Sequence, residues 1–177
     1  MTTIPPKVKT LSLEQFTAFE RAAFEFCPGI NVLIGANATG KSHVMKVIYV
    51  LLKISEFVYS QKTTSQSKVE AIRSKLGNVF RSSINDVVRF EQKGAFINLE
   101  YGSQQIGLTI EREDNLGLEG EALPQYTPLK FPPDPIPLVY LPAQEFLSIN
   151  EGFIGVYTKR ELPYDETYYD LGLALNA

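Results

Sequence analysis

The sequence predicts an α/β fold in which a buried strand turns through a glycine-rich loop into a long helix. Three observations predict it. Gly29-Ile30-Asn31-Val32-Leu33-Ile34 is a short apolar run that reads as a strand. Gly35-Ala36-Asn37-Ala38-Thr39-Gly40-Lys41-Ser42 fits the pattern G-x-x-x-x-G-K-[ST]. The residues from Ser42 to Ile54 read as a helix, with Val44, Val47, Ile48, Leu51 and, further on, Val58 on one face at three- and four-residue steps. Met45, Tyr49, Val50 and Leu52 lie off that stripe, so cover on more than one side is expected, as in a layered core.

The remaining elements follow in order. Val8 to Leu13 and Phe19 to Phe26 both suggest strands, so two strands precede the loop strand. Ser60 to Ser67 is polar and reads as a loop. Ser67-Lys68-Val69-Glu70 fits a capping box, which predicts a second helix from Ser67 with Val69, Ile72, Leu76, Val79 and Phe80 as its apolar stripe. Ala95 to Tyr101 and Gln104 to Glu111 read as a hairpin across Gly102-Ser103. The stretch 112–135 is acidic, then rich in proline, and is expected to lack regular structure. Ile136 to Leu141 reads as a strand entering a central sheet, its length limited by flanking prolines. Two helices are expected in the last part, one over about 151–159 and one over about 166–176 with Asp165 as N-cap. No repeat or heptad run is visible.

The 177 residues suit a single domain, 1–177, with an ordinary core. There is no run of about 18 apolar residues and no apolar signal core at the start, so neither a membrane span nor secretion is expected, and the chain reads as cytoplasmic. The one cysteine, Cys27, excludes a disulfide framework and is expected to be a half-buried packing residue. The one histidine, His43, leaves little material for metal clusters or Ser-His-Asp chemistry and is expected in the first turn of the helix near a bound nucleotide. Net charge is −3, but residues 1–93 hold 13 basic and 7 acidic side chains, and residues 94–177 hold 4 basic and 13 acidic ones. The densest basic stretch, Lys62 to Lys93 with Lys68, Arg73, Lys75, Arg81 and Arg89, reads either as a solvated face or as a DNA contact.

The loop carries the chemistry. Gly35 and Gly40 permit backbone conformations that turn successive N–H groups inward as a nest for anions. The first N–H groups of the following helix are unpaired by geometry, and its dipole adds roughly half a positive charge there. Lys41 supplies a mobile charge for the β- and γ-phosphates of a nucleoside triphosphate, and the Ser42 hydroxyl is placed to ligate Mg²⁺. Gly35 through His43 therefore form the candidate ATP site, with Lys41 as its catalytic charge. A glycine-rich turn without a ligand would not account for the Lys-Ser pair at the helix start.

Phe26 to Ser42 resembles the head domains of SMC-, RecF- and OLD-like ATPases of the ABC class, also grouped as prokaryotic AAA/ABC-like ATPases. In that class two or three strands precede the loop, as here, and Asn37 stands where the class has Asn. Ala38 and Thr39 depart from the usual Gly-Ser. The resemblance implies a P-loop NTPase fold, the N-terminal half of an ABC/SMC-like head, with an antiparallel β element and helices packed on a central sheet. It further implies ATP and Mg²⁺ as ligands and a head dimer or partner head subunit. Val139 to Glu145 looks like the strand and loop that carry the Q-loop glutamine of such ATPases, which makes Gln144 the candidate for touching Mg²⁺ or the attacking water. A surface-loop glutamine is the alternative reading. Glu151 to Leu175 resembles the segment that follows in these proteins.

Hydrolysis in the class requires a Walker B strand, four apolar residues ending in Asp-Glu. The only Asp-Glu pair, Asp165-Glu166, follows Glu161-Leu162-Pro163-Tyr164 and suits a helix cap better. No Leu-Ser-Gly-Gly signature is present; the nearest string is Leu147-Ser148-Ile149-Asn150. The chain thus reads as an incomplete ATPase head, active only when completed by a further half. Two other classes stay open: a small P-loop kinase, against which stand the thirty-odd residues before the loop and the scarcity of late arginines, and a nucleotide-gated assembly module without turnover.

Overall fold

The computed structural model describes residues 7–60, 65–111, 123–127, 138–142, 154, 157 and 164–175. Two strands, β1 (Val8–Phe16) and β2 (Phe19–Glu25), open the chain, followed by helices α1 (Lys41–Ser60) and α2 (Ser65–Phe80) and a 3-10 turn over Ile84–Val87. Strands β3 (Gly94–Tyr101), β4 (Gln104–Glu111) and β5 (Leu123–Thr127) come next, and helix α3 (Glu166–Leu175) closes the described part.

All five strands form one antiparallel sheet in the order β2-β1-β3-β4-β5. The antiparallel element is therefore larger than the opening strands alone predict. Its register aligns the apolar residues in rows. Leu11 stands opposite Leu99, which stands opposite Ile106; Leu13 faces Ile97, which faces Leu108. Those six side chains are essentially buried. A one-residue slip would turn them all to the other face, so the rows pin the register.

Helices α1 and α2 cover the buried face. Val44, Val47, Leu51 and Ile54 of α1 and Ile72, Leu76 and Val79 of α2 join the same core as the sheet residues. The Phe16 ring meets the Phe80 ring edge-on at 5.6 Å, tying the end of β1 to the end of α2. Tyr49, Val50 and Leu52 are also buried, so α1 is covered on more than one side as its composition predicts, whereas Met45 stays exposed.

Several expectations need correction. Residues 29–34 do not form a strand: Ile30, Val32 and Ile34 are 90%, 73% and 92% exposed. Their composition suits a strand buried on both faces, but no described strand lies beside them to supply a ladder. The same holds for 138–142, which form no strand, while Ile136 and Pro137 lie outside the described residues. Helix α2 starts at Ser65, two residues ahead of the capping box that suggested Ser67. The proline-rich stretch contains β5, where Pro124 pairs with Ile110 on the sheet edge, a position that tolerates the missing N–H. Cys27 is exposed, not half-buried, because the chain there runs over the surface. Of the expected helix over 151–159, only Ile154 and Tyr157 are described, both helical. No described helix is long and apolar enough to cross a membrane.

Candidate functional site

The turn that enters the loop is built by Asn31. Its side-chain amide donates to the carbonyls of Cys27 and Gly29, at 3.0 and 3.1 Å, and its Oδ1 accepts from the Cys27 N–H at 2.9 Å. The ammonium of Lys7 donates to the Pro28 carbonyl. Beyond Ile34 the loop is exposed from Gly35 to Thr39. Two left-handed residues bend it, Ala38 at φ 62° and Gly40 at φ 90°. Gly40 is required twice over. Its φ suits glycine, and a Cβ there would lie 2.6 Å from Cζ of Phe19, whose ring rests on the loop. Thr39 Oγ1 donates to the Ala36 carbonyl at 2.9 Å and braces the bend.

Helix α1 then begins at Lys41. Its first helical bond runs from the Val44 N–H to the Gly40 carbonyl at 3.0 Å. The N–H groups of Lys41, Ser42 and His43 have no hydrogen-bond partner among the described residues. Three free donors, a helix dipole and an exposed hydroxyl at Ser42 thus meet at one point. The Lys41 ammonium folds back onto the carbonyls of Gly35 and Ala36, at 2.7 and 2.5 Å. That donor set, amides with an ammonium and a hydroxyl, fits a phosphate oxygen cluster with a hard cation beside it.

His43 occupies the first turn, as expected, but its ring meets Phe80 of α2 edge-on at 5.5 Å. Its Nδ1 is buried without a partner. Burial, with a smaller contribution from the Lys46 charge, holds its pKa below the usual 6.5 and keeps the ring neutral at pH 7. Gln144 lies outside the described residues.

A second polar cluster sits behind the loop, between α1, α2 and α3. The Lys46 ammonium donates to Asp165 Oδ2 at 2.6 Å and to the Val79 carbonyl at 2.9 Å. Lys75 binds Glu166 at 2.9 Å and Asp170 at 2.6 Å. The Tyr49 hydroxyl donates to Asp170 Oδ2 at 2.5 Å, and burial followed by that bond pushes its pKa far up. Asp165 Oδ1 also accepts from the Thr167 N–H at 3.0 Å, so it caps α3 as expected. The Asp165-Glu166 pair is therefore engaged with Lys46 and Lys75. Sequence reasoning missed this cluster. The signal available was Lys46 and Tyr49 lying three residues apart, off the apolar stripe of α1. The basic stretch is likewise not one solvated face: Lys75 points inward, and Arg89 donates to the Ala18 carbonyl at 3.0 Å. Lys62 lies outside the described residues.

No protein-family model matches the sequence. Among curated proteins, the DNA replication and repair protein RecF of Limosilactobacillus fermentum is 36% identical over 72 residues, 41% of this chain and 18% of that protein. RecF of Staphylococcus haemolyticus is 44% identical over 45 residues, covering 25% and 12%. RecF of Streptococcus agalactiae serotype V is 30% identical over 100 residues, covering 55% and 27%. The chain thus spans between about an eighth and a quarter of the length of these relatives. Looser likenesses exist among solved structures. One is the recombination mediator protein RecF with ATP in the RecFOR pathway, at TM-score 0.43 and 17% identity, covering 69% of this chain and 27% of that one. Another concerns ATP-driven dimerization and DNA-stimulated activation of SMC ATPases, at TM-score 0.40 and 15% identity, covering 70% of each chain. In its N-terminal part the chain is a relative of RecF, an SMC-like ABC-class ATPase.

Proposed function

We propose that this chain is the ATP-binding segment of an SMC/RecF-like ATPase. Residues 35–43 hold the triphosphate, Lys41 neutralises the β- and γ-phosphates, and Ser42 ligates Mg²⁺. The observation that carries the reading is the start of α1, where three N–H groups without partners stand beside the only Gly-Lys-Ser of the chain. Held by the Ser42 hydroxyl, Mg²⁺ would offset negative charge on the phosphates. The chain's own part is to grip and orient the phosphates. Titration calorimetry with Mg·ATP tests this. Binding by the unaltered chain and none by Lys41→Ala is expected; equal binding by both would overturn it.

Hydrolysis, in this reading, awaits a further half carrying the catalytic carboxylate, and a second head. A module that binds ATP without turnover is the second reading, favoured because Asp165 and Glu166 are engaged with Lys46 and Lys75. Phosphate release by this chain alone, measured on a sample that binds ATP, would contradict both. The relatives are DNA replication and repair proteins, which supports a DNA-linked role for the assembled head.

A further inference from the structure

Phe19, the first residue of β2, supports the phosphate loop from outside it. The edge of its ring abuts Gly40, where an added Cβ would lie 2.6, 2.7 and 3.5 Å from three ring carbons. The same ring meets Phe24 edge-on at 6.0 Å and packs against the main core. Gly40 in turn accepts the first helical bond of α1, from the Val44 N–H. The place of the β1–β2 turn is thereby passed to the start of the helix.

That turn does not hold itself. Phe16 pairs with Phe19, so only Thr17 and Ala18 lie between the strands. Gln15 and Thr17 hold left-handed φ values of 51° and 49°, and for a β-branched residue such as Thr17 that angle is an outlier. Gln15 Oε1 and Thr17 Oγ1 are also buried with no partner among the described residues, a further local cost. Such a conformation persists only where its surroundings over-determine it. Residues 87–89 do so here. The Thr17 N–H donates to the Val87 carbonyl at 2.8 Å, the Arg89 N–H donates to the Gln15 carbonyl at 2.8 Å, and Val88 bridges to Phe16. Val87 and Val88 are buried, so this prop is rooted in the core. A side chain adds another tie: Arg89 Nη1 donates to the Ala18 carbonyl at 3.0 Å, one residue before Phe19.

We propose that Arg89 is a positioning residue of the phosphate loop. Its charge-assisted bond fixes the Ala18 carbonyl and hence the Phe19 ring. The ring holds Gly40 where Lys41, Ser42 and His43 present their N–H groups together. Without the guanidinium the ring gains room to move off Gly40, and the ligand must order the loop itself, which lowers affinity. The inference deepens the ATP reading and rests on it for the effect on affinity, while the link from Arg89 to Gly40 stands without nucleotide.

Arg89→Met removes the guanidinium and keeps the backbone bond to Gln15. In the nucleotide-free variant, the Gly40 Hα resonances, displaced by the Phe19 ring, should move toward their ordinary positions, with circular dichroism unchanged. Mg·ATP should bind about five- to tenfold more weakly by calorimetry, the scale of one charge-assisted hydrogen bond. Phe19→Leu should weaken binding similarly. The double variant Arg89→Met/Phe19→Leu should bind no worse than the weaker single one, since both changes act through one ring. Arg89→Lys keeps a donor and should recover affinity to within about twofold of the unaltered chain. Unmoved Gly40 resonances, unchanged affinity in Arg89→Met, or no recovery in Arg89→Lys would each overturn the proposal. Losses that multiply in the double variant would do so too, because they mark an arginine touching the ligand itself. Loss of the fold in Arg89→Met would place the residue in stability alone and overturn it as well. Should the unaltered chain fail to bind ATP, the ATP reading falls and the Gly40 resonances decide the link to Arg89.

Discussion

Ala38 holds a backbone angle that glycine adopts freely and alanine does not. The SMC/RecF-like loop usually has glycine there. Ala38→Gly should therefore relieve about 1 kcal/mol of local strain, partly offset by the greater freedom of glycine in the unfolded chain. Calorimetry should show ATP bound a few-fold more tightly; weaker binding would mean that the methyl group contacts the ligand favourably. Gly40→Ala acts in the opposite direction. It combines a disfavoured φ with a Cβ placed 2.6 Å from the Phe19 ring, and should cost about 1–3 kcal/mol of stability and most of the ATP affinity. His43 makes stability depend on pH. Its folded pKa is depressed, so the unfolded chain binds more protons as pH falls through 6.5. Stability should hold above that value and decline below it until the folded pKa is passed. His43→Phe should flatten this slope in denaturant titrations between about pH 5 and 7.

At the scale of elements, α3 is held to α1 and α2 by the paired charges of Lys46, Lys75, Asp165, Glu166 and Asp170, while its Tyr168 and Leu171 pack with Ile154, Tyr157 and Tyr164. The side chains involved are 12–20% exposed, so breaking the cluster leaves partly buried charge behind. Lys75→Met should cost about 2–4 kcal/mol, because Glu166 and Asp170 would then face each other without a cation. Urea titration measures that loss, and exchange at 166–175 should rise with it. Adding Asp170→Asn should recover part of the loss; no recovery would place the effect in packing around Tyr49 instead. Helix α3 owes its start to Asp165, which the sequence showed as an N-cap, but its anchorage to α1 and α2 depends on residues more than ninety positions apart. Such pairing has no local signature.

For the whole molecule, legibility followed whether a signal was local. Strands β1 and β2 were readable as strands and the β3–β4 pair as a hairpin across Gly102, and α1 from its apolar period, because each pattern is complete within one segment. The join of β1 to β3 was not, since it pairs Leu11 with Leu99 across about half of the chain. Strand β5 was hidden by Pro124, which edge pairing tolerates. Residues 29–34 and 138–141 show the opposite failure: their composition is that of inner strands, and the described fold supplies no partner strand for them. The proposed phosphate loop shows as a motif because the pattern sits in eight consecutive residues. What its backbone adds is the bend at Ala38 and Gly40 and the open start of α1. The most direct measurement of the central claim is titration of the 177-residue chain with Mg·ATP beside Lys41→Ala. The account predicts saturable one-to-one binding that disappears with the lysine; binding that survives its loss, or none by the unaltered chain, would contradict it.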